Sequence, residues 1–253
     1  MKLSIILGSI RKEKLSTVYH SILESYHGDW EFIAVAPYEL PDDLKEKTNI
    51  KFFQDWGNPT RSWQIALLHS DGEYIHYTAD DATYFPDTLD TTLELLQDED
   101  DKTLVMSKYY EGKDNLPLME SDCYYHFSYH RTLNILNYSG DYWILNVGTA
   151  KKKLFMEIGG WDCRFESTAI ANIDFSMRIQ NYGVKIIIQR DPIMLCDWQP
   201  GLTGEHHPIH DAQVYHDLPL LKHEKQTLIR RTTIDINNWK DAEAVWKRRF
   251  CAK

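Results

Sequence analysis

Two adjacent carboxylates, Asp80 and Asp81, follow an apolar run in "GEYIHYTADDATYFP", which begins at Gly72. Carboxylate oxygens are preferred ligands of hard divalent cations such as Mg²⁺ and Mn²⁺, which keep several waters and take further ligands from phosphates. A helix cap or a solvated turn would use the same pair, so its chemistry depends on where the chain puts it. The stretch "GGWDCRFES" carries two more acids, Asp162 and Glu166, either of which could take a proton; a turn acid is the alternative for Asp162. "TGEHHPIHDAQVYHDLPLLKH" holds five of the eleven histidines: His206, His207, His210, His216 and His223. His207 and His210 are spaced closely enough to reach one site, and no cysteine stands nearby to make a structural zinc centre. A polar surface loop is the other reading. Arg11 and Arg61 could each hold phosphate or base, or be surface charge.

These residues need elements to position them. "LSIIL" (3–7), "EFIAVA" (31–36), "IKFF" (50–53), "EYIHYT" (73–78), "TLVMS" (103–107) and "VKIIIQ" (184–189) are short apolar runs that predict strands. Helical spacing predicts helices over 14–26, 60–69, 86–97 (with Pro86 in its first turn), 151–158 and 168–182. Strand–helix alternation of this kind predicts an α/β fold with a mainly parallel sheet flanked by helices. Ligands of such sheets bind beyond the carboxyl ends of the strands, where Asp80 and Asp81 fall. Residues 109–142 show no clear period and read as a long functional or mobile loop.

Bulk composition excludes several classes. A net charge of −10 leaves no basic footprint for nucleic acid or an anionic membrane. No stretch approaches the ~18 apolar residues of a membrane span, and "MKLSIILGSIRKEKL" lacks signal-peptide anatomy. Four scattered cysteines without a CxxC pair read as reduced thiols. The expectation is a cytoplasmic protein with no integral membrane segment. Its 8 Trp and 15 Tyr suit either a packed core or contact with a polar, ring-shaped ligand.

Four motifs in order resemble family 2-type glycosyltransferases of the GT-A fold. "GEYIHYTADDATYFP" is similar to that family's "GEYIxFLDADDxxxP". "GNPTRSWQIALLHSDGEYI" resembles its N-G-x-x-x-A-x-N-x-G helix. "FMEIGGWDCRFE" and "IDFSMRIQNYGVKI" resemble its "GGFDExF" and "EDxDLxxRxxxxGxxi". The likeness spans residues 3 to about 189. It implies a GT-A (Rossmann-like) mixed, mainly parallel sheet in residues 1–190, which bind the nucleotide-sugar and catalyse. Residues 191–253 would be a C-terminal helical and loop extension packed on the same domain.

The activity implied is inverting transfer of a sugar from a nucleotide-sugar donor to a glycan or other hydroxyl acceptor, assisted by Mn²⁺ or Mg²⁺. On this resemblance Asp81 ligates the metal, Asp80 helps toward ribose or metal, and His207 or His210 closes on the metal and diphosphate. Arg11, Tyr38, Arg61 and Asp80 would hold the nucleotide. Gly148 in "LNVGT" would leave room beside the donor sugar, with Asn146 as a polar contact. The departures from the pattern are specific. Ala79 stands where the first motif acid is usual, and "PYELP" replaces the Asp-rich base-binding segment. Ala171 and Asn172 replace the acids that usually supply the catalytic base, so that role is expected of Glu166 first, Asp162 second and Asp174 third; Asp174 and Arg178 stand at i and i+4 of a helix, the spacing of a structural ion pair. Two other readings stay open: a non-catalytic nucleotide-sugar or glycan binder, and a sugar nucleotidyltransferase.

Overall fold

The computed structural model describes residues 2–113, 116–121, 126–128, 141–197 and 216–224. The predicted strands form as β1 (Leu3–Gly8), β2 (Trp30–Ala36), β3 (Ile50–Gln54), β4 (Tyr74–Tyr77), β6 (Thr103–Lys113) and β11 (Lys185–Asp197). The helices are α1 (Lys12–Ser25), α2 (Pro59–His69), α3 (Thr88–Glu94), α4 (Lys152–Ile158), α5 (Thr168–Asn181) and a short α6 (Leu218–Glu224). Alternation along the strands sends their apolar residues to two faces. Leu3, Ile5 and Leu7 of β1 meet Leu15, Val18 and Ile22 of α1 and Leu89 and Leu93 of α3. Ile6, Ile33 and Val35 point the other way, toward Trp63 of α2, Phe155 of α4 and Phe175 of α5. The result is a sheet with helices on both faces, as buried strands of this kind require.

The sheet order is β3-β2-β1-β4-β10-β6-β11-β5, with β7 (Leu116–Ser121) paired to β6. β10 (Gly148–Lys151) and β5 (Ala82–Tyr84) are strands that no apolar run in the sequence predicts. At four and three residues, they are too short to show a period. β10 lies antiparallel between β4 and β6, so the sheet is mixed at its centre. β5 pairs antiparallel with β11. It occupies residues just after the paired acids, and the following helix starts at Thr88 rather than Pro86. Asp87 makes that bend, with a left-handed φ of 61°. The expected loop at 109–142 is partly sheet: β6 runs on to Lys113, and β7, β8 (His126–Ser128) and β9 (Asp141–Trp143) follow. β11 likewise continues through residue 190 to Asp197.

The turn after α4 locks the second face. Gly159 and Gly160 both have left-handed φ, 85° and 63°, and a side chain on Gly160 would collide with Gln64. Gln64 Oε1 instead accepts the Trp161 amide at 2.9 Å. Trp161 then stacks on Phe175 at 4.9 Å and on Phe155 at 5.5 Å. It is a core ring, 1% exposed, and offers no platform to a ligand.

His76 on β4 is wholly buried between Thr149 Oγ1 and Tyr84 Oη, each 2.7 Å away. Burial drives its pKa down to about 3, so the ring is neutral. A folded pKa below the unfolded value means that the unfolded chain takes up a proton that the native state refuses. Stability from this group is therefore complete above pH 6.5 and falls as pH drops toward 3. Between pH 7 and pH 5 the loss is roughly 2 kcal/mol at 1.36 kcal/mol per pH unit. His76→Gln should flatten that part of the pH–stability curve, measured by urea denaturation at both pH values; an unchanged slope would contradict it.

Candidate active site

A cavity of about 490 Å³ opens at the carboxyl ends of β1 and β4. Gly8 to Arg11 follow β1, Pro37 follows β2, Asp55 follows β3 and Thr78 to Asp81 follow β4; all of these residues line it. Because β10 runs antiparallel, its leading residues Asn146 and Val147 reach the same edge. The amino-terminal turns of α2 and α5, Tyr109 and Glu111 of β6, and Cys196 and Asp197 of β11 complete the wall.

The two motif acids do different things. Asp80 Oδ2 accepts the amides of Ile10 (2.9 Å) and Arg11 (3.1 Å) and the Ser9 hydroxyl (3.1 Å). Its Oδ1 accepts the Arg11 guanidinium. Asp80 thereby organises the β1–α1 loop, and Ser9 passes the network on to the Tyr38 hydroxyl. Asp81 lacks such support: its nearest cation is Arg11 at 3.9 Å. Burial, and then the charge of Asp80, pushes its pKa up to about 6.

Asp55 holds Arg61 in a two-pronged pair, with Nε–Oδ1 at 3.0 Å and Nη2–Oδ2 at 2.9 Å. Asn58 caps α2 by accepting the Arg61 amide at 2.7 Å. Asp197 pairs with Lys14 at 2.7 Å. At the far rim, Asp217 is fully buried and accepts the amides of Glu166 (2.8 Å) and Ser167 (2.5 Å). From fifty residues downstream it thus pins the segment that leads into α5, whose N-cap Ser167 makes no side-chain cap bond.

Of the residues expected from sequence, Arg11, Asp80, Asp81 and Asn146 line the cavity. Tyr38 and Arg61 stand behind it, one bonded to Ser9 and the other to Asp55. Gly148 is enclosed in the sheet, where a side-chain carbon would lie 2.9 Å from the Val105 carbonyl. Asp162 is gripped by its neighbour Arg164 at 2.6 Å, and neither it nor Glu166 is among the lining residues, although Ser167, Thr168, Ala169 and Asn172 are. His207 and His210 lie outside the described residues. Sequence reasoning passed over Asp55, Glu111 and Asp197. Asp55 was findable, as the first acid past a strand end; Glu111 and Asp197 fall inside strands that ran longer than their apolar runs.

Five carboxylates and one arginine in the wall make an oxygen-rich donor set that fits a hard divalent cation. Asp81 is weakly held, with Arg11 at 3.9 Å, and stands next to the firmly bound Asp80. A second group that could hold a cation, His27 with Asp87 and Asp90, is exposed and lies past the other end of α1. Fourteen residues of helix, about 21 Å, separate the two places.

No protein-family model matches the chain, and no curated protein matches it. Solved structures do. Residues 1–349 of S. aureus TarS in complex with UDP align with a TM-score of 0.56 at 13% identity, over 90% of this chain and 70% of that one. The same protein in complex with UDP-GlcNAc aligns at 0.59 and 15%, over 81% and 60%. A crystal structure of S. aureus TarS aligns at 0.59 and 15%, over 90% of this chain and 42% of that chain. The mixed sheet flanked by helices is thus the GT-A-type fold, as the motif order implied. Among the described residues no helix is long and apolar enough to cross a membrane.

Proposed function

We propose that this chain is a glycosyltransferase that moves a sugar from a nucleoside-diphosphate sugar to a hydroxyl acceptor, with inversion. One observation carries the reading: the paired acids Asp80 and Asp81 follow a central strand into a cavity at the ligand-binding edge of a fold shared with a protein crystallised with UDP and UDP-GlcNAc. The chain's own residues divide the work. Asp80 fixes the β1–α1 loop against the nucleotide side. Asp81, with Asp80 behind it, would hold Mn²⁺ or Mg²⁺, whose chemistry there is to neutralise the diphosphate as it leaves. Arg11 is the one cationic residue of the described wall, so a diphosphate in this cavity needs that help.

A second reading has an observation of its own. Asn172 cannot take a proton, and Glu166 and Asp162 stand outside the lining, as they would in a protein that binds donor without turning it over. Calorimetry with UDP, GDP and dTDP in Mn²⁺, followed by assay of nucleotide release from the matching sugar donors, separates the two. We expect micromolar-class binding of one nucleotide, dependent on the cation, together with measurable turnover. Binding without turnover supports the binder, and no binding of any nucleotide removes both.

A further inference from the structure

Each carboxylate in the cavity wall can be sorted by what already holds it. Asp55 is bound by Arg61, Asp80 by Arg11 and three other donors, and Asp197 by Lys14. Asp81 has, among the described residues, its own amide and Arg11 at 3.9 Å, and is suited to a cation. Glu111 is the remaining one, and it makes no hydrogen bond or ion pair with any described residue. It lies on β6, opposite Cys196 of β11 and Met119 of β7. Between Glu111 and Gly112 the register with β7 slips, an irregularity of the kind that re-aims a side chain beside an active site. The backbone there is fixed on both sides by paired strands, so the side chain entering the cavity is held by sheet rather than by a loop. Burial raises the pKa of this carboxyl, which strengthens it as a proton acceptor near neutral pH.

We infer that Glu111 is the catalytic base of this site. The inference rests on the glycosyl-transfer reading above. In the step, Glu111 takes the proton of the acceptor hydroxyl while that oxygen bonds to the anomeric carbon of the donor sugar. The bond from that carbon to the diphosphate oxygen breaks, and its electron pair leaves with the nucleoside diphosphate. One displacement of this kind inverts the anomeric centre. With water as acceptor, the same step hydrolyses the donor, which gives an assay that needs no acceptor identity.

The test uses the full chain with Mn²⁺, UDP affinity by calorimetry, and UDP release from UDP-GlcNAc. Glu111→Gln should keep the affinity for UDP and the melting temperature, because no described residue is bonded to the carboxylate. Turnover should fall ~10²–10⁴-fold. Glu111→Asp, which withdraws the carboxylate by one methylene, should retain an intermediate rate and guards against a folding defect in the first variant. Wild-type turnover in Glu111→Gln overturns the inference, and so does a loss of turnover with intact UDP binding in Glu166→Gln or Asp162→Asn alone. Loss of UDP affinity in Glu111→Gln makes the residue part of binding and also overturns it. If GDP or dTDP binds in place of UDP, the same assay uses the matching sugar donor; failure of the wild-type protein to bind any of the three is a different result and removes the donor reading itself.

Discussion

Asp81→Asn is expected to abolish the Mn²⁺-dependent part of nucleotide binding while leaving the metal-free protein as stable as wild type, or more so. The reason is electrostatic. Asp81 is buried beside Asp80, and its pKa stands at about 6 in the folded state, above the ordinary carboxylate value of 3.8. For an acid raised on folding, the stabilising window is below 3.8, and the contribution is lost as pH climbs to 6. Above pH 6 the charged group costs roughly 3 kcal/mol at 1.36 kcal/mol per pH unit. A divalent cation offsets that cost, and an amide removes it along with the ligand. Melting temperatures at pH 7.5 with and without Mn²⁺ should therefore show a metal-induced rise in wild type and none in the variant. Unchanged Mn²⁺–nucleotide affinity in Asp81→Asn would take this residue out of the site.

Asp174→Ala should cost about 3–5 kcal/mol of folding stability, since breaking a buried ion pair leaves the partner charge uncompensated. Asp174 and Arg178 are 0% and 1% exposed on successive turns of α5, with Nε–Oδ2 at 2.8 Å. Arg178 also donates to the carbonyls of Ile158 (2.9 Å) and Gly160 (2.7 Å). It thus ties α5 to the glycine turn that leads into the cavity rim. Arg178→Met should cost a similar amount, because it strands both carbonyls and the carboxylate. Chemical denaturation measures both, and a loss under about 1 kcal/mol would put the pair with weak surface bridges. Nucleotide affinity should fall much less than stability, which separates this scaffold role from that of Asp81.

That ion pair was visible in the sequence because i and i+4 face each other on any helix. Asp80 and Asp81 were visible because an apolar run aims its end at the sheet edge, whatever lies elsewhere. Their division of labour was not. It depends on Ser9, Ile10 and Arg11 donating to one acid and not the other, a contact across seventy residues of chain. Gly148 shows the opposite limit. Its four-residue strand carries no alternation, and its neighbours on both sides, Tyr77 and Met106, come from elements far away in sequence. Glu111 was hidden for a third reason: it lies where a strand with a clear apolar start runs on through polar residues into the cavity wall.

The antiparallel strand at the centre of the sheet bears on how the chain can be made. During synthesis, β1 to β4 can close as a parallel half-sheet, in the order β3-β2-β1-β4, once residue 77 has emerged. The partner that covers the far side of β4 is residues 148–151, about seventy residues later. At ~5–20 residues per second, the ribosome leaves that edge bare for roughly 4 to 15 s. An uncovered central strand is a template for pairing with other chains. A translational pause or premature stop between residues 78 and 147 therefore yields an adhesive stub, and this protein should depend on chaperones most while its middle third is being translated.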